Sequence, residues 1–405
     1  MISKMISTEY PQVFALSEYE EKLVEDLNSD VVANIQKTEL VELSRKVTGE
    51  FVLKAGSKIG FVSVQGVQVN VKPRFPIYNI FYFLGFWDAL RLEKEKVKID
   101  KSADFLTVLF QSFLTNVEEA TRKGLINGYV NQEETSKVLK GRIDFSRQFK
   151  KHPGSYFPFE VSFDDYVEDI PENQILKKAL QIALKYGLKE RELKNRAQNL
   201  LFNFKEVSDL SEAISWSSSR LNKHYWDALQ IADLIISGNG FHENVGNVQI
   251  NGFSVDMHRI FEGFVAKQLA SRVNKIKNES NWIKKQEKMY LDTQEIYKQI
   301  ADIVWYREDK PFQVLDTKYK APEGENEQKD SLNDLRQVIS YASLLRLKQA
   351  HLIYGVAGDP RSIESNQEGI TVFTHGLDLS KSPDHIGKQL DLIVETLRRN
   401  ETSSN

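Results

Sequence analysis

Two short apolar runs carry the residues best suited to chemistry: Ala301-Asp302-Ile303-Val304-Trp305 and Val314-Leu315-Asp316-Thr317-Lys318-Tyr319-Lys320. In a β-strand, side chains at i and i+2 share a face, so Asp316 and Lys318 would point together while Leu315 and Thr317 point the other way. One strand would then offer a carboxylate ligand beside a cation. The polar stretch from Tyr306 to Pro311 can turn, which would pair the two runs as a hairpin and bring Asp302 to Asp316. Hard oxygen ligands at such a point suit Mg²⁺, which keeps several waters and takes one or two carboxylates plus substrate phosphate oxygens. The chemistry would be metal-assisted phosphodiester cleavage. Lys318 would orient the attacking water or offset charge at the phosphate. The plain alternative is an exposed ion pair on a strand edge, since Asp-x-Lys also arises by chance.

The flanking segments must position that pair. Upstream, Met257 to Leu269 reads as an amphipathic helix, with Phe261, Phe264, Val265 and Leu269 at helical spacing. Glu262 borders the apolar face and could reach inward as a further ligand, or be an ordinary boundary glutamate. Downstream, Ser331 to Leu345 reads as a second helix. Gln337 and Tyr341 are four apart, hence neighbours, and could contact a DNA backbone or metal-bound waters; a polar helix edge explains the spacing equally well.

The order of these pieces resembles the PD-(D/E)xK nuclease superfamily: a Phe-Glu-x-Phe-Val helix, an Ala-Asp-Ile-Val strand, a Leu-Asp-Thr-Lys-Tyr-Lys strand, then a helix with Gln-x-x-x-Tyr. More narrowly, the chain resembles the McrC family, nuclease subunits of McrBC-type modification-dependent restriction systems. Val69-Asn70-Val71-Lys72-Pro73-Arg74-Phe75, Leu139-Lys140-Gly141-Arg142-Ile143-Asp144-Phe145 and the Glu168 to Lys177 segment agree with it. The likeness runs from about Gly49 to about Gly355. Ala301 departs from it where the superfamily name has Pro, and Lys123 departs where Arg would open the Lys-Gly-Leu segment.

That resemblance implies an α/β (α+β) chain: a β-rich N-terminal domain with helices at 1–158, then a domain at 159–400. The second domain would have a helical lead-in (159–250) and an αβββαβ restriction-endonuclease-like core (251–376). It implies an Mg²⁺-dependent endonuclease with Glu262, Asp302 and Asp316 as metal ligands, Lys318 as the catalytic cation, and Gln337 and Tyr341 as supporting or DNA-contacting residues. The implied partners are a hexameric McrB-like AAA+ GTPase, which this chain would stimulate, and double-stranded methylated DNA. Two other readings stay open, a catalytically silent nuclease-fold adaptor and an exonuclease-like DNA-end processor.

Composition narrows the field. The chain has 405 residues, enough for two or three domains, and no cysteine, which excludes disulfides, thiolate zinc sites and a cysteine nucleophile. Its seven histidines include no His-x-x-x-His pair. No Gly-x-x-x-x-Gly-Lys-Ser/Thr occurs, so nucleotide binding through a P-loop is not expected. The net charge of −3 is unusual for a protein that grips DNA unaided. The best basic cluster, Lys137 to His152, includes Lys140, Arg142 and Arg147, which could meet phosphate or an acidic partner surface or be a solvated face. No secretory or membrane-spanning segment is expected, and the cysteine usage fits a cytoplasmic location.

Punctuation sets the remaining expectations. Glu18 to Leu27 reads as a helix, and Phe51 to Lys72 as a β-region turning at Gln65-Gly66, backed by helices at Ile77 to Arg91 and Phe105 to Thr121. Lys123 to Phe145 reads as an excursion before the Pro153-Gly154 breaker. Helices are expected from Asn173 to Tyr186, Glu190 to Phe204 and Tyr225 to Ser237, and strands near His351 to Val356 and Gly369 to Thr374. Ala321 to Asp330 reads as a flap, and the chain from Asn400 as disordered.

Overall fold

The computed structural model describes residues 12–24, 27–84, 105–186, 191–210, 216–217, 219–238, 244–245, 248–276, 280–319, 327–356, 361–364 and 369–399. Its contacts form two compact units: Met1–Leu90 with Gly240–Asn405, and Arg91–Asn239. This differs from the expected boundary at residue 158. The reason is strand pairing, because residues 58–64 pair with residues 250–256 and bind the first strands to the last third of the chain.

The first unit opens with β1 (Gln12–Ser17), β2 (Glu21–Val24), α1 (Ser29–Lys37), β3 (Val41–Arg45), β4 (Phe51–Ala55), β5 (Lys58–Val64), β6 (Val67–Lys72) and α2 (Ile77–Phe83). The helix expected from Glu18 to Leu27 is instead β2, paired antiparallel with β4. Helix begins only after Asn28, whose side chain accepts the Asp30 N–H as an N-cap. The β5–β6 hairpin turns at Gln65 and Gly66, with φ of 47° and 84°, the two positive values a type I′ turn requires. Val62, Val64, Val69 and Val71 from this hairpin bury against Leu16 of β1 and Val31 and Ile35 of α1. Of the helix expected from Ile77 to Arg91, α2 forms the first part, and residues 85–91 lie outside the described residues.

The second unit contains α3 (Phe105–Ala120), β7 (Gly128–Ser136), β8 (Arg142–Ile143), α4 (Phe145–Lys151), β9 (Phe159–Val167), α5 (Pro171–Tyr186), α6 (Arg191–Asn203) and α7 (Trp226–Ser237). Helix α3 was expected to back the β5–β6 hairpin. It instead packs with α5, α6 and α7, since it is apolar on nearly every side and needs helices around it. The excursion becomes a three-stranded antiparallel sheet in the order β7-β9-β8.

The chain then returns to the first unit through β10 (Asn244–Val245) and β11 (Val248–Asp256). There β11 pairs with β5 and completes a sheet in the order β1-β6-β5-β11-β10. The pairing is close at Gly60, where φ is +139° and an added Cβ would stand 2.0 Å from the Phe253 carbonyl oxygen. Next come α8 (Met257–Val273), β12 (Asn281–Tyr290), β13 (Lys298–Arg307), β14 (Lys310–Lys318), α9 (Glu327–Leu344), β15 (Gln349–Tyr354), β16 (Arg361–Glu364), β17 (Thr371–Gly376) and α10 (Pro383–Arg399). From α8 to β15 the element order is helix, three strands, helix, strand, as expected. The six strands lie in the order β12-β13-β14-β15-β17-β16, with β14, β15 and β17 parallel to one another.

Of the expected flap, residues 321–326 lie outside the described residues and 327–330 already belong to α9. Residues beyond 399 also lie outside them. Among the described residues, no helix is long and apolar enough to cross a membrane.

Candidate active site

Strand β14 occupies the middle of its sheet, and Gln313 to Lys318 are all buried. A central strand normally fills such a run with apolar side chains, so three consecutive polar residues, Asp316, Thr317 and Lys318, must find their partners inside the protein. The β13–β14 hairpin provides one set. It turns tightly at Glu308 and Asp309, with φ of 47° and 61°, and pairs Val304 with Val314 and Ile303 with Leu315. Continuing that register would set Asp302 opposite Asp316, but the ladder stops there. The Thr317 N–H donates instead to Asp302 Oδ2 at 2.8 Å, and the Thr317 hydroxyl donates to the same oxygen at 2.7 Å.

Asp316 is 1 % exposed, and its Oδ2 lies 2.6 Å from Lys318 Nζ without hydrogen-bond alignment. Burial, then the Asp302 charge, push the Asp316 carboxyl up to about 7, against the pull of Lys318. Lys318 also donates to Gln337 Oε1 at 2.8 Å, and Gln337 Nε2 donates to the Tyr341 hydroxyl oxygen at 2.7 Å. Burial followed by the Asp316 charge raises the Tyr341 phenol. The i, i+4 pair on α9 thus clamps the lysine of β14.

Glu262 reaches this neighbourhood from α8, whose first turn is capped by Asp256 accepting the His258 N–H at 2.9 Å. The Glu262 carboxyl is half-buried, and burial followed by the Asp302 charge raises it. Gln286 of β12 donates to its Oε1. The structure therefore brings together Glu262, Asp302, Asp316, Lys318, Gln337 and Tyr341. Among the described residues, no group of three or more acidic or histidine side chains is already arranged around a metal position. Each of the three carboxylates is engaged by a protein partner, Thr317, Lys318 or Gln286.

Three participants were not singled out from the sequence. Thr317 was expected to face away, but the parting of β13 and β14 lets its hydroxyl reach Asp302. Asp334, 5 % exposed, stands 3.9 Å from Lys318 Nζ through Oδ1 and accepts the Tyr354 hydroxyl at 3.3 Å. Its position three residues before Gln337, on the same helix face, was a readable signal. Gln286 gave no such signal.

Lys140, Arg142 and Arg147 belong to the second unit. Arg147 pairs with Glu133 at 2.9 Å and Glu160 at 2.8 Å, and Lys140 with Glu134 at 3.3 Å. Buried Glu160 also meets Lys151 and His152, and hydrogen bonds led by that from Thr135 hold its carboxyl down at about 2. Much of this basic run is thus balanced internally, while Arg142 is exposed on β8.

The first unit thus sets the Asp302, Asp316 and Glu262 carboxylates and the Lys318 amine near one another. Residues 53–355 match the family model described as "McrBC 5-methylcytosine restriction system component". A curated relative, the "Type IV methyl-directed restriction enzyme EcoKMcrBC" of Escherichia coli (strain K12), is 22 % identical over 188 residues, covering 45 % of this chain and 54 % of that protein. The chain thus matches about half the length of that relative. A chain from the assembly of Thermococcus gammatolerans McrB AAA+ hexamers with bound McrC has a similar fold, with a TM-score of 0.56 and 18 % identity over 95 % of this chain and 100 % of that one.

Proposed function

The chain belongs to the McrBC family of 5-methylcytosine restriction system components, and from that premise we propose that it is the Mg²⁺-dependent endonuclease subunit of a GTP-dependent system that cuts double-stranded DNA bearing modified cytosine. The observation that carries this reading is the buried Asp316–Lys318 pair, set beside Asp302 and clamped by Gln337. A purely structural strand would gain nothing from two aspartates whose charges oppose each other. Replacing such groups with apolar residues is often neutral or stabilising.

The donor set fits Mg²⁺. Asp302, Asp316 and Glu262 supply hard carboxylate oxygens, and the raised Asp316 and Glu262 carboxyls mark a place where added positive charge is favourable. When bound, the ion would acidify a water and offset charge developing on the phosphate. Lys318 holds its ammonium within the same cluster, restrained by Gln337, and so keeps a fixed positive charge for the scissile phosphate. Tyr341 fixes the Gln337 amide, so Gln337 presents its carbonyl to Lys318.

No P-loop occurs in the sequence, so GTP hydrolysis belongs to a separate AAA+ GTPase of the McrB kind. This chain docks on that partner and stimulates its turnover. The proposed docking segment is Lys123 to Arg142, which forms β7 and the approach to β8.

The test is reconstitution with the GTPase, GTP and Mg²⁺ on methylated circular DNA. Asp316→Ala should abolish cleavage while leaving GTPase stimulation intact. Full cleavage by that variant would overturn the site assignment. Combined Lys140→Ala and Arg142→Ala should lower stimulation, and unchanged stimulation would remove the docking assignment. Cutting confined to linear DNA would indicate an end-processing enzyme instead.

A further inference from the structure

One residue beside the site has a backbone that its strand does not call for. On β12, Lys285 pairs with Ile303 and Glu287 with Ala301, which leaves Gln286 across from Asp302. Its φ is 51°, in the left-handed region that a glutamine rarely adopts and that interrupts an otherwise regular ladder. Glycine would take that conformation without strain, and an ordinary extended residue would complete the pairing. The strained conformation accompanies one evident contact, in which the Gln286 amide donates to Glu262 Oε1.

We propose that Gln286 is a positioning residue for Glu262, holding that carboxylate in place as a divalent-cation ligand facing Asp302. Strained residues cluster at functional sites because the surrounding structure keeps them there for a purpose other than stability. Outer partners of a ligating carboxylate orient it, and their loss typically weakens metal binding about 10- to 100-fold. Gln286 suits this task because its amide donates to one carboxylate oxygen without adding charge. A lysine at the same place would compete with the cation. This inference rests on the nuclease reading above and adds to it a residue outside the Glu262, Asp302, Asp316 and Lys318 set.

The test measures binding, not cutting. Mn²⁺, another hard-oxygen ion, is titrated into the full chain without DNA or nucleotide, with free Mn²⁺ followed by electron paramagnetic resonance and folding followed by thermal melting. Gln286→Gly relieves the left-handed strain while removing the amide. It should melt at the same or a higher temperature and bind Mn²⁺ about tenfold more weakly. Gln286→Asn, whose amide is one methylene short, should show the same loss of affinity. Parental affinity in both variants, with Asp316→Asn having lost it, overturns the role of Gln286 alone. Affinity lost only together with the cooperative melting transition in both variants marks Gln286 as structural and also overturns it. If Asp316→Asn binds Mn²⁺ as the parent does, or the parent binds none, the metal-site reading falls and this inference with it.

Discussion

Asp302 takes both hydrogen-bond donors of Thr317, the backbone N–H at 2.8 Å and the hydroxyl at 2.7 Å, through a single carboxylate oxygen. The residue between Asp316 and Lys318 therefore fixes the neighbouring acid, and a side chain from the opposite strand takes the place of a backbone ladder bond. Two strands that part at this point keep their carboxylates close without closing the space beside them.

Thr317→Val removes the hydroxyl and keeps the shape. The variant should lose about 1 kcal/mol of stability in chemical denaturation, the ordinary worth of one buried hydrogen bond. It should bind Mn²⁺ on the order of tenfold more weakly, because Asp302 keeps only one of its two restraints. Parental affinity in calorimetry would mean that the amide alone orients Asp302.

The Asp316 carboxyl, pushed up to about 7 from an ordinary 3.8, gives a pH signature with a definite sign. The folded protein keeps this proton where the unfolded chain has lost it. Stability without metal should therefore fall as pH rises from about 4 to about 7. Glu18, also raised to about 7 by burial, shifts the same way, so the comparison is with Asp316→Asn, which should show a shallower decline. Divalent binding should run oppositely, strengthening up to roughly tenfold per pH unit below about 7 as a proton is displaced. Flat Mn²⁺ affinity between pH 5.5 and 7.5 would contradict the assignment of Asp316 as a ligand.

Gly60→Ala tests the seam between β5 and β11. The added Cβ would meet the Phe253 carbonyl oxygen at 2.0 Å, and φ of +139° is hostile to alanine in any case. A destabilisation on the order of 3 kcal/mol is expected, since both backbone strands must shift. Gly66→Ala, at a turn with open space around it, should cost less. Equal melting temperatures for the two variants would refute the close approach.

The sequence disclosed those parts of this architecture whose signals are local. Asp302, Asp316 and Lys318 stand in apolar runs of strand length, and Gln337 and Tyr341 sit four apart on a helix, so their grouping could be anticipated. Asp334, three residues before Gln337, obeys the same helical rule. Two kinds of information were out of reach. Strand β12, with three lysines, a glutamine and a glutamate through its middle, lacks alternation because it is an edge strand with little to bury, so nothing in its pattern marks Gln286. The discontinuous first unit depends on which strands find each other at long range, and β5 carries no mark naming β11 as its neighbour. The short β2, expected as a helix, was lost to local pattern because its pairing with β4 decides its state.

That long-range pairing has a consequence during synthesis. Val64 of β5 pairs with Ile250 of β11, so the outer edge of β5 waits for about 190 further residues, on the order of 10–40 s at ordinary translation rates. Through that interval the nascent chain carries an open row of backbone donors and acceptors, the surface on which chains add to one another. A product cut short before residue 248 keeps that edge permanently and should be found in aggregates, whereas a chain that runs on through β11 closes it with its own strand.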